Sequence, residues 1–522
     1  MNQMRVIYHL ARADFLERVR RYSFLITLGL AVFLGYQAAI GNITLRLDEY
    51  RGEFTSAWAG AMMSLIATFF LGWFGFYVVK GSVARDTETG VGQIMATTPL
   101  TRLLYTVGKW ISNFAVLMTM VLILAVFALI IQFINGESAR LDVVGLLTPF
   151  LLITTPVMAL VAALAVLFET ISFLQGGFGN VVYFFLFAFL APLTDSKFIQ
   201  EHPGLDPFGM SIFIDSMGDA ARAKFPEYES GFSLGIDFES STGIFPWSGV
   251  DWTTDIILYR LTIFLIALLL IFLAALFFKR FDPSRQKPRR MTARRSASLP
   301  KPELVSTSQT LSQTIHLTPL TASTNNFTFI RVLISELKLL LKGQRWWWYA
   351  IALGFFIAGL ANTASNSRQF VLMLAWVWPI LIWSGMGNRE LTHNTQQMVF
   401  SSAAPLWRQL PATWLAGFIV TVLTGSGVAI KLLNASDNVG LLAWISAAIF
   451  IPSLALALGV WSNSHKLFEI LYMCLWYIGP LNKVIPLDYL GSNSNGNIGF
   501  FIPLSIVLLV IAFIGRARQL QN

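Results

Sequence analysis

Residues 57–79 read AWAGAMMSLIATFFLGWFGFYVV, an apolar run that contains no charged residue. A helix of about 20 apolar residues is long enough to cross the hydrocarbon core of a bilayer. Comparable runs recur along the 522 residues, of which 55% are hydrophobic and only 12% charged. Soluble proteins carry about 25% charged residues. The sequence therefore predicts an all-α integral membrane protein with about twelve transmembrane helices.

These spans form two sets of six. The first set lies near 23–41, 57–79, 104–134, 144–168, 179–194 and 254–278. The second set lies near 346–362, 369–386, 412–433, 440–462, 467–485 and 499–515. We therefore predict two related six-helix halves, 1–280 and 327–522, joined by a basic linker rich in Ser and Thr over 281–326.

The distribution of Lys and Arg predicts the orientation, because these residues accumulate in cytoplasmic loops. With the N-terminus inside, 27 of the 37 Lys and Arg residues fall in inner segments. Both termini are therefore expected in the cytoplasm. This bias and the basic linker explain the net charge of +9 without nucleic acid, and anionic membrane lipid is the natural counter-surface.

Each half begins with a segment of helical amphipathic pattern. Before the first span, the residues of one face are Tyr8, Ala11, Phe15, Val19 and Tyr22, and those opposite are Asp14, Glu17, Arg18 and Arg21. Before the seventh span, the polar face holds Arg331, Ser335, Lys338, Lys342 and Arg345, opposite Leu333, Leu337, Leu340 and Leu341. We interpret both as interfacial helices. The alternative is a helix that simply leads into its span.

The longest predicted external loop, 195–251, holds ten Asp and Glu against three basic residues. It is long enough for a small folded cap, and its acidic surface could receive a further partner. The corresponding stretch of the second half, about 486–498, is short and rich in Gly and Asn.

Several kinds of chemistry are missing from the sequence. No G-x-x-x-x-G-K-[ST] motif is present, because Gly108-Lys109 lacks the upstream glycine. Cys474 is the only cysteine, and the five histidines have no metal-ligand spacing. We therefore predict no catalysis, no metal site and no cofactor in this chain. Ionisable residues near span ends are interpreted mostly as snorkelling to the headgroups: Lys109, Glu169, Arg260, Arg368, Lys431 and Glu469.

Aromatic residues are concentrated in two spans. They are Phe69, Trp73 and Phe76 in the second span and Trp376 and Trp383 in the eighth. Such rings are common in lipid-facing and interfacial packing. Their alternative role is to line an apolar substrate path.

The loops 80–103 and 387–410 follow the second span of each half and resemble each other. Arg85-Asp86 recurs as Arg389-Glu390 at an offset of 304, and the Pro-Leu-x-Arg at 99–102 recurs at 405–408 at an offset of 306. Each loop also has an apolar strip that includes Ile94, Met95 and Met398. This pattern predicts a short cytoplasmic helix with one apolar face, ended by a proline turn.

The loop residues resemble the ABC-2 type transporter permease family. In that family an acidic-basic pair, a glycine-containing helix, a Ser/Thr-Pro-Leu-x-Arg turn and a Gly-Lys pair follow one another. The first loop matches with Arg85-Asp86, Gly90, Thr98 to Arg102 and Gly108-Lys109. The second departs from the pattern at Asn394, Ala404 and Pro411, which predicts two unequal docking sites.

The resemblance implies a permease of the bacterial cell membrane in which two halves are fused in one chain. It would export an amphipathic or hydrophobic substrate along a path lined by spans 2, 5, 8 and 11. Two separate ABC-type ATPase subunits, paired as a dimer, would bind ATP and Mg²⁺. The residues that would couple to them are Arg85, Asp86, Glu88, Ile94, Met95, Pro99, Arg102, Arg389, Glu390, Met398, Pro405 and Arg408.

Two other classes of protein fit less well. A twelve-span secondary transporter of the major facilitator type also has six plus six spans and a basic central loop. The 80–103 loop lacks the Gly-x-x-x-Asp-Arg-x-Gly-Arg-Arg style motif expected there. A membrane-embedded enzyme such as a polyprenyl transferase would need clustered Asp or His at one membrane face, and the sequence has no such cluster.

Overall fold

A computed structural model describes the chain over residues 3–137, 141–193, 206–236, 243–278, 281, 329–342, 344, 346–402, 405–482, 484–492 and 498–521. Over these residues the protein is mostly helical, and its internal contacts divide it into two compact units. Unit 1 comprises Met1–Phe281 and Lys466–Cys474, and unit 2 comprises Asp282–His465 and Leu475–Asn522.

The helices of unit 1 are α1 (Gln3–Val19), α2 (Tyr22–Ala39), α3 (Ser56–Val79), α4 (Ser82–Glu88), α5 (Val91–Ala96), α6 (Arg102–Asn135), α7 (Val143–Pro149), α8 (Thr155–Thr170), α9 (Gly177–Leu193), α10 (Met210–Lys224) and α11 (Thr254–Phe277). A π-helical turn, Phe150–Thr154, joins α7 to α8.

Unit 2 contains α12 (Phe329–Leu341), α13 (Trp346–Ala361), α14 (Ala364–Asn366), α15 (Leu372–Val377), α16 (Ile380–Trp383), α17 (Arg389–Thr392), α18 (Gln396–Phe400), α19 (Pro405–Asn434), α20 (Asn438–Ser462) and α22 (Ile498–Gln521). Helix α21 (His465–Trp476) contributes residues to both units. Shorter turns are the π-helical Ser367–Val371 and Tyr477–Leu481 and the 3₁₀ turn Ile485–Leu487.

Seven helical segments in the described part of the chain are long and apolar enough to cross a membrane, and two of them combine consecutive helices, α3 with α4 and α7 with α8. They are Ser56–Glu88, Arg102–Asn135, Val143–Thr170, Thr254–Phe277, Pro405–Asn434, Asn438–Ser462 and Gly499–Gln521. Helices α1 and α2 form an eighth candidate if the bent pair counts as one span. The chain therefore has the character of a multi-pass membrane protein. A total of twelve spans stays a prediction.

The span predicted over 369–386 is broken into short pieces. A π-helical turn leads into α15, and Trp378-Pro379 separates α15 from α16. Proline has no backbone N–H to donate and clashes with the preceding helical turn, so a helix is interrupted there. Helices α15 and α16 are each too short to cross a membrane.

The helices of the two units pack in a similar arrangement, in which one long helix contacts several others. In unit 1, α6 packs against α1, α2, α3 and α8, and α8 packs against α11. In unit 2, α19 packs against α12, α13 and α20, and α20 packs against α22. Small residues allow the close approach that membrane helices require. A Cβ atom added to Gly427 in α19 would lie 2.2 Å from the carbonyl oxygen of Phe356 in α13.

Two short β-ladders lie at the N-terminal end of α3. Strand β1 (Ile43–Arg46) pairs antiparallel with β3 (Ser233–Ile236), and β2 (Tyr50–Gly52) pairs parallel with β4 (Gly243–Phe245). The predicted cap within 195–251 thus pairs with a segment between α2 and α3 that the sequence did not single out. Residues 195–205 and 237–242 of the predicted cap lie outside the described residues.

Candidate functional site on the loop helices

The first loop begins at a sharp break between α3 and α4. Lys80 is extended, with ψ of 141°, and Gly81 adopts φ of 110°, a left-handed conformation that side chains with a Cβ atom rarely adopt. The helical conformation is interrupted at these two residues, and the short α4 starts at Ser82. We call residues 79–84 the α3–α4 junction.

The carboxylate of Glu169, the penultimate residue of α8, binds this junction. It accepts hydrogen bonds from the backbone N–H groups of Gly81 (2.5 Å), Ser82 (3.0 Å), Val83 (2.5 Å) and Ala84 (3.1 Å). The first N–H groups of a helix have no partner within the helix, and a carboxylate also interacts favourably with the helix dipole. Glu169 is 3% exposed, so these bonds are shielded from water.

Two cations bind the carbonyl groups of the same junction. Arg18 Nη1 in α1 donates to the carbonyl oxygen of Val79 at 2.7 Å. Lys466 Nζ, at the start of α21, donates to the carbonyl oxygen of Lys80 at 2.7 Å. The side chain of Lys80 in turn donates to Asn180 Oδ1 at 2.8 Å. The junction is therefore held by α1, α8, α9 and α21.

Arg85 in α4 points towards α1. Its guanidinium group forms ion pairs with the carboxylates of Asp14 and Glu17. Asp14 is 5% exposed and also accepts a hydrogen bond from Arg18 Nε at 2.9 Å. Burial raises the pKa of the Asp14 carboxyl, but attraction to Arg18 and Lys109 outweighs burial and holds that pKa well below its ordinary value.

Asp86 in α4 points towards α6. Its carboxylate accepts a hydrogen bond from the hydroxyl of Tyr105 at 2.7 Å and pairs with Lys109 Nζ at 2.8 Å. Lys109 also pairs with Asp14 at 2.8 Å. All four side chains are nearly or fully buried. Arg85-Asp86 thus joins α4 to both α1 and α6.

The second loop is attached in a similar way by Arg389-Glu390. Arg389 Nη2 donates to Glu336 Oε2 in α12 at 2.8 Å. Glu390 accepts from Gln409 Nε2 in α19 at 2.6 Å and pairs with Arg516 in α22 at 3.4 Å. No carboxylate binds the start of α17 among the described residues as Glu169 binds α4.

The charged pairs of both loops therefore face the interior of their own units. The sequence predicts that these pairs couple to a partner subunit; in the structure Asp86 and Glu390 are buried, and Arg85 and Arg389 are partly buried. Among the other predicted coupling residues, the exposed ones are Glu88, Ile94, Pro99, Arg102 and Met398. Met95, Pro405 and Arg408 are partly exposed. Ile94 is 69% exposed and Met398 is 78% exposed.

The departure from the family pattern at Asn394 leaves the backbone geometry intact. Gly90 has φ of 74°, and Asn394 at the corresponding position has φ of 54°. Asparagine is the residue after glycine that most readily adopts this left-handed conformation. Pro411 is accommodated within the first turns of α19, and Ala404 lies outside the described residues.

The two loops border clefts of different size. The cleft between α5, the start of α6 and Phe278 and Phe281 has a volume of about 10 Å³, and we call it cleft 1. The cleft between α12, α17, α18 and the start of α19 has a volume of about 750 Å³, and we call it cleft 2. Cleft 2 contains an apolar wall formed by Val332, Leu339, Met398 and Val399.

The aromatic residues assigned to a substrate path are placed differently in the two units. In unit 1, Phe69 and Trp73 are half-buried and meet the ring of Phe187, while Phe76 is buried and stacks on Tyr183. In unit 2, Trp376 and Trp383 are buried, and their indole N–H groups donate to the carbonyl oxygens of Thr421 and Gly417 in α19. Trp376 and Trp383 are thus packed within unit 2.

Snorkelling is the wrong interpretation for most of the ionisable residues near span ends. Lys109, Glu169, Arg260 and Glu469 are at most 3% exposed, because each binds groups of its own unit. Arg260 Nη2, for example, donates to the carbonyl oxygen of Asp206 at 2.5 Å. Arg368 pairs with Asp437 at 3.2 Å. Lys431 is partly exposed.

Part of the polar face of α1 is likewise buried. Asp14 and Arg18 of that face are buried and Glu17 is exposed, whereas on the predicted apolar face Ala11 is buried and Tyr8 is 60% exposed. The buried charges are tolerated because each is paired. In α12 the basic face is exposed as predicted, and Leu340 is buried. Arg345 lies outside the described residues.

No family model, curated protein or solved structure matches this chain. Within the described residues, no group of three or more His, Cys, Asp or Glu side chains is placed to hold a metal ion. The geometry of the loop helices is therefore the main basis for a functional assignment.

Proposed function

We propose that the chain is the membrane-spanning permease subunit of an ATP-driven ABC transporter that exports an amphipathic or hydrophobic substrate. Two separate nucleotide-binding subunits would dock on the loop helices, bind ATP and Mg²⁺, and supply the energy. The supporting observation is the construction of these helices. In each loop one helix, α4 or α17, is attached by ion pairs, and the next helix exposes an apolar side chain, Ile94 in α5 or Met398 in α18.

This construction suits the transfer of force. Burying one exposed Ile or Met side chain at an interface contributes about 1.5–3 kcal/mol, so exposed apolar residues favour a docked partner. A push on α4 would reach α1 through Arg85, α6 through Asp86 and α8 through Glu169. In this proposal the charged pairs hold the loop rigid and the exposed residues contact the partner.

The similar attachment of both loops and the similar helix pairs within each unit support two related halves. In the proposed arrangement each half contributes six spans, both termini are in the cytoplasm of a bacterial cell, and the loops lie on the cytoplasmic side. The region that contains α10 and β3–β4 would then face outwards and be available to a further partner.

A twelve-span ion-coupled carrier is the second candidate, and one observation favours it. Glu469 in α21 is 2% exposed and accepts a hydrogen bond from Asn180 Nδ2 at 2.6 Å. A buried carboxylate within a membrane protein is a common element of proton and cation pathways.

The test is co-purification of the full chain from its native membrane with ABC-type ATPase subunits. The double variant Ile94→Glu/Met398→Glu places charges on the exposed apolar positions and is expected to lose these subunits. The matched control is Gln93→Glu/Gln397→Glu, which adds the same charges at the adjacent exposed positions and should retain them. Transport driven by an ion gradient in vesicles without any ATPase subunit would overturn the proposal and favour the carrier.

A further inference from the structure

The two clefts are equivalent positions of the repeated loop. Two residues of cleft 1 correspond to two residues of cleft 2, namely Met95 to Val399 at the offset of 304 and Arg102 to Arg408 at the offset of 306. The repeated loop forms one wall of each cleft. We therefore attribute the difference in volume between the clefts to the side chains that fill them.

Cleft 1 is filled by aromatic side chains of the chain itself. Phe278 stacks on Tyr105 with ring centroids 4.6 Å apart, and Phe281 meets the same ring edge-on at 5.4 Å. The ring of Phe281 also covers Gly92, where an added Cβ atom would lie 2.5 Å from it. Unit 1 thus shows that an apolar ring is a suitable occupant of such a cleft.

Cleft 2 has no corresponding occupant among the described residues. Tyr105 corresponds to Pro411 at the offset of 306, and the amide of the neighbouring Gln409 donates to Glu336 and Glu390 at 3.4 and 2.6 Å. The equivalent helix end in α22 contributes Arg516, which binds Glu390 and lies over the ring of Phe400. An open volume of about 750 Å³ remains.

The charges that line cleft 2 favour an acidic neighbour. The side chains of Glu336 and Glu390 are 8% and 9% exposed and are engaged by Arg389 and Arg516. Arg389 and Arg408 line the cleft, and Nε and Nη1 of Arg389 have no hydrogen-bond partner among the described residues. A carboxylate next to the occupant would accept hydrogen bonds from these two donors of Arg389.

We propose that cleft 2 receives an apolar side chain of a nucleotide-binding subunit, flanked by a carboxylate on the same segment. This inference rests on the proposed function and makes the two docking sites different. In unit 1 the subunit lies against the exposed face of α5, and in unit 2 it inserts a side chain between α12, α18 and α19.

The first test fills the cleft. Val399→Trp places a large side chain in cleft 2, and Gln397→Trp adds the same side chain on the exposed side of α18 as a control. We expect the first variant to weaken association with the co-purified nucleotide-binding subunits about tenfold, and the second by less than twofold. Size-exclusion profiles and unfolding temperatures of the free chains show whether each variant is folded.

The second test identifies the occupant without disturbing the fold. A photoreactive benzoylphenylalanine at Met398 is expected to cross-link to a peptide of the nucleotide-binding subunit with an apolar residue next to Asp or Glu. Cross-linking only to residues 282–328 of the chain, or only to lipid, would overturn the inference, as would wild-type affinity of a folded Val399→Trp. A wild-type chain that binds no ATPase subunit would instead overturn the proposed function.

Discussion

The carboxylate of Glu169 lies 2.5 Å from the backbone nitrogen of Val83, which joins the end of α8 to the first turn of α4. The two residues are 86 positions apart in the chain. Because the same carboxylate binds four successive N–H groups, α4 cannot tilt without breaking several buried hydrogen bonds or carrying α8 with it. The loop helix and the membrane helix α8 therefore behave as one body.

Replacing Glu169 by Ala should loosen the α3–α4 junction. The backbone N–H groups of 81–84 would lose a buried acceptor, and each unsatisfied group costs about 1–3 kcal/mol. We expect amide hydrogen exchange at these residues to accelerate at least tenfold, because a loss of about 1.4 kcal/mol in opening free energy corresponds to that factor. Glu169→Gln should give a smaller change because its amide oxygen still accepts.

The matched control for this variant is Glu88→Gln, which alters an exposed acid of the same helix. Its exchange rates at 81–84 should equal those of the wild type. Unchanged exchange in Glu169→Ala would mean that water or another group satisfies these N–H donors, and that the carboxylate does not hold the junction.

Asp14 should make the stability of unit 1 dependent on acid pH. Its pKa is lowered by Arg18 and Lys109 from an ordinary value of 3.8, in spite of burial. A carboxyl group with a lowered pKa in the folded state stabilises the fold above its ordinary pKa, and this contribution is lost as the pH falls towards the folded pKa. The difference in unfolding temperature between wild type and Asp14→Asn should thus be constant from pH 8 to 5.

The same difference should shrink progressively below about pH 4, where the unfolded carboxyl binds a proton. At neutral pH the loss in Asp14→Asn should be about 3–5 kcal/mol, because Arg18 and Lys109 remain buried without their carboxylate. A difference that persists undiminished at acid pH would show that the asparagine acts by packing instead of by charge.

The repeated loops could be found in the sequence, but the side to which their charged side chains point could not. Arg85-Asp86 is conspicuous because it recurs 304 residues later, and its position between helices follows from the hydrophobic spans. That it faces inwards depends on Asp14 and Lys109, which are distant in sequence and resemble ordinary interfacial charges. Nothing in the local sequence around Glu169 indicates that its carboxylate would reach the N-terminus of α4.

The spans were predicted best where the helix is continuous. The apolar run at 57–79 corresponds closely to α3, which has no proline and begins at the N-cap Thr55. The runs at 369–386 and 467–485 contain Pro379 and Pro480, and hydropathy alone does not show how these residues divide a helix. The pairing of β1 and β2 with later strands was missed because three- or four-residue strands have too little periodicity to detect.

The ion pairs of the two loops should differ in strength. In unit 1, Lys109 lies 2.8 Å from Asp86, whereas Arg516 lies 3.4 Å from Glu390 in unit 2. A double-mutant cycle of Asp86→Asn and Lys109→Met should give a coupling energy of about 2 kcal/mol, and the cycle of Glu390→Gln and Arg516→Met a smaller one. Equal coupling in both units would contradict the unequal attachment of the loops.

Gly92 and Phe281 should be coupled, because the glycine leaves room for the ring that fills cleft 1. In Gly92→Ala the new methyl group would lie 2.5 Å from the ring of Phe281, which must shift at a cost of about 1–3 kcal/mol. Phe281→Ala empties the cleft and should cost about 3 kcal/mol. Once the ring is absent the methyl group has space, so the double variant should lose clearly less stability than the two single variants lose together.

Thermal unfolding of the wild type, the two single variants and the double variant measures these losses. Additive losses would mean that Phe281 does not occupy the space above Gly92, and cleft 1 would then be as open to a partner as cleft 2.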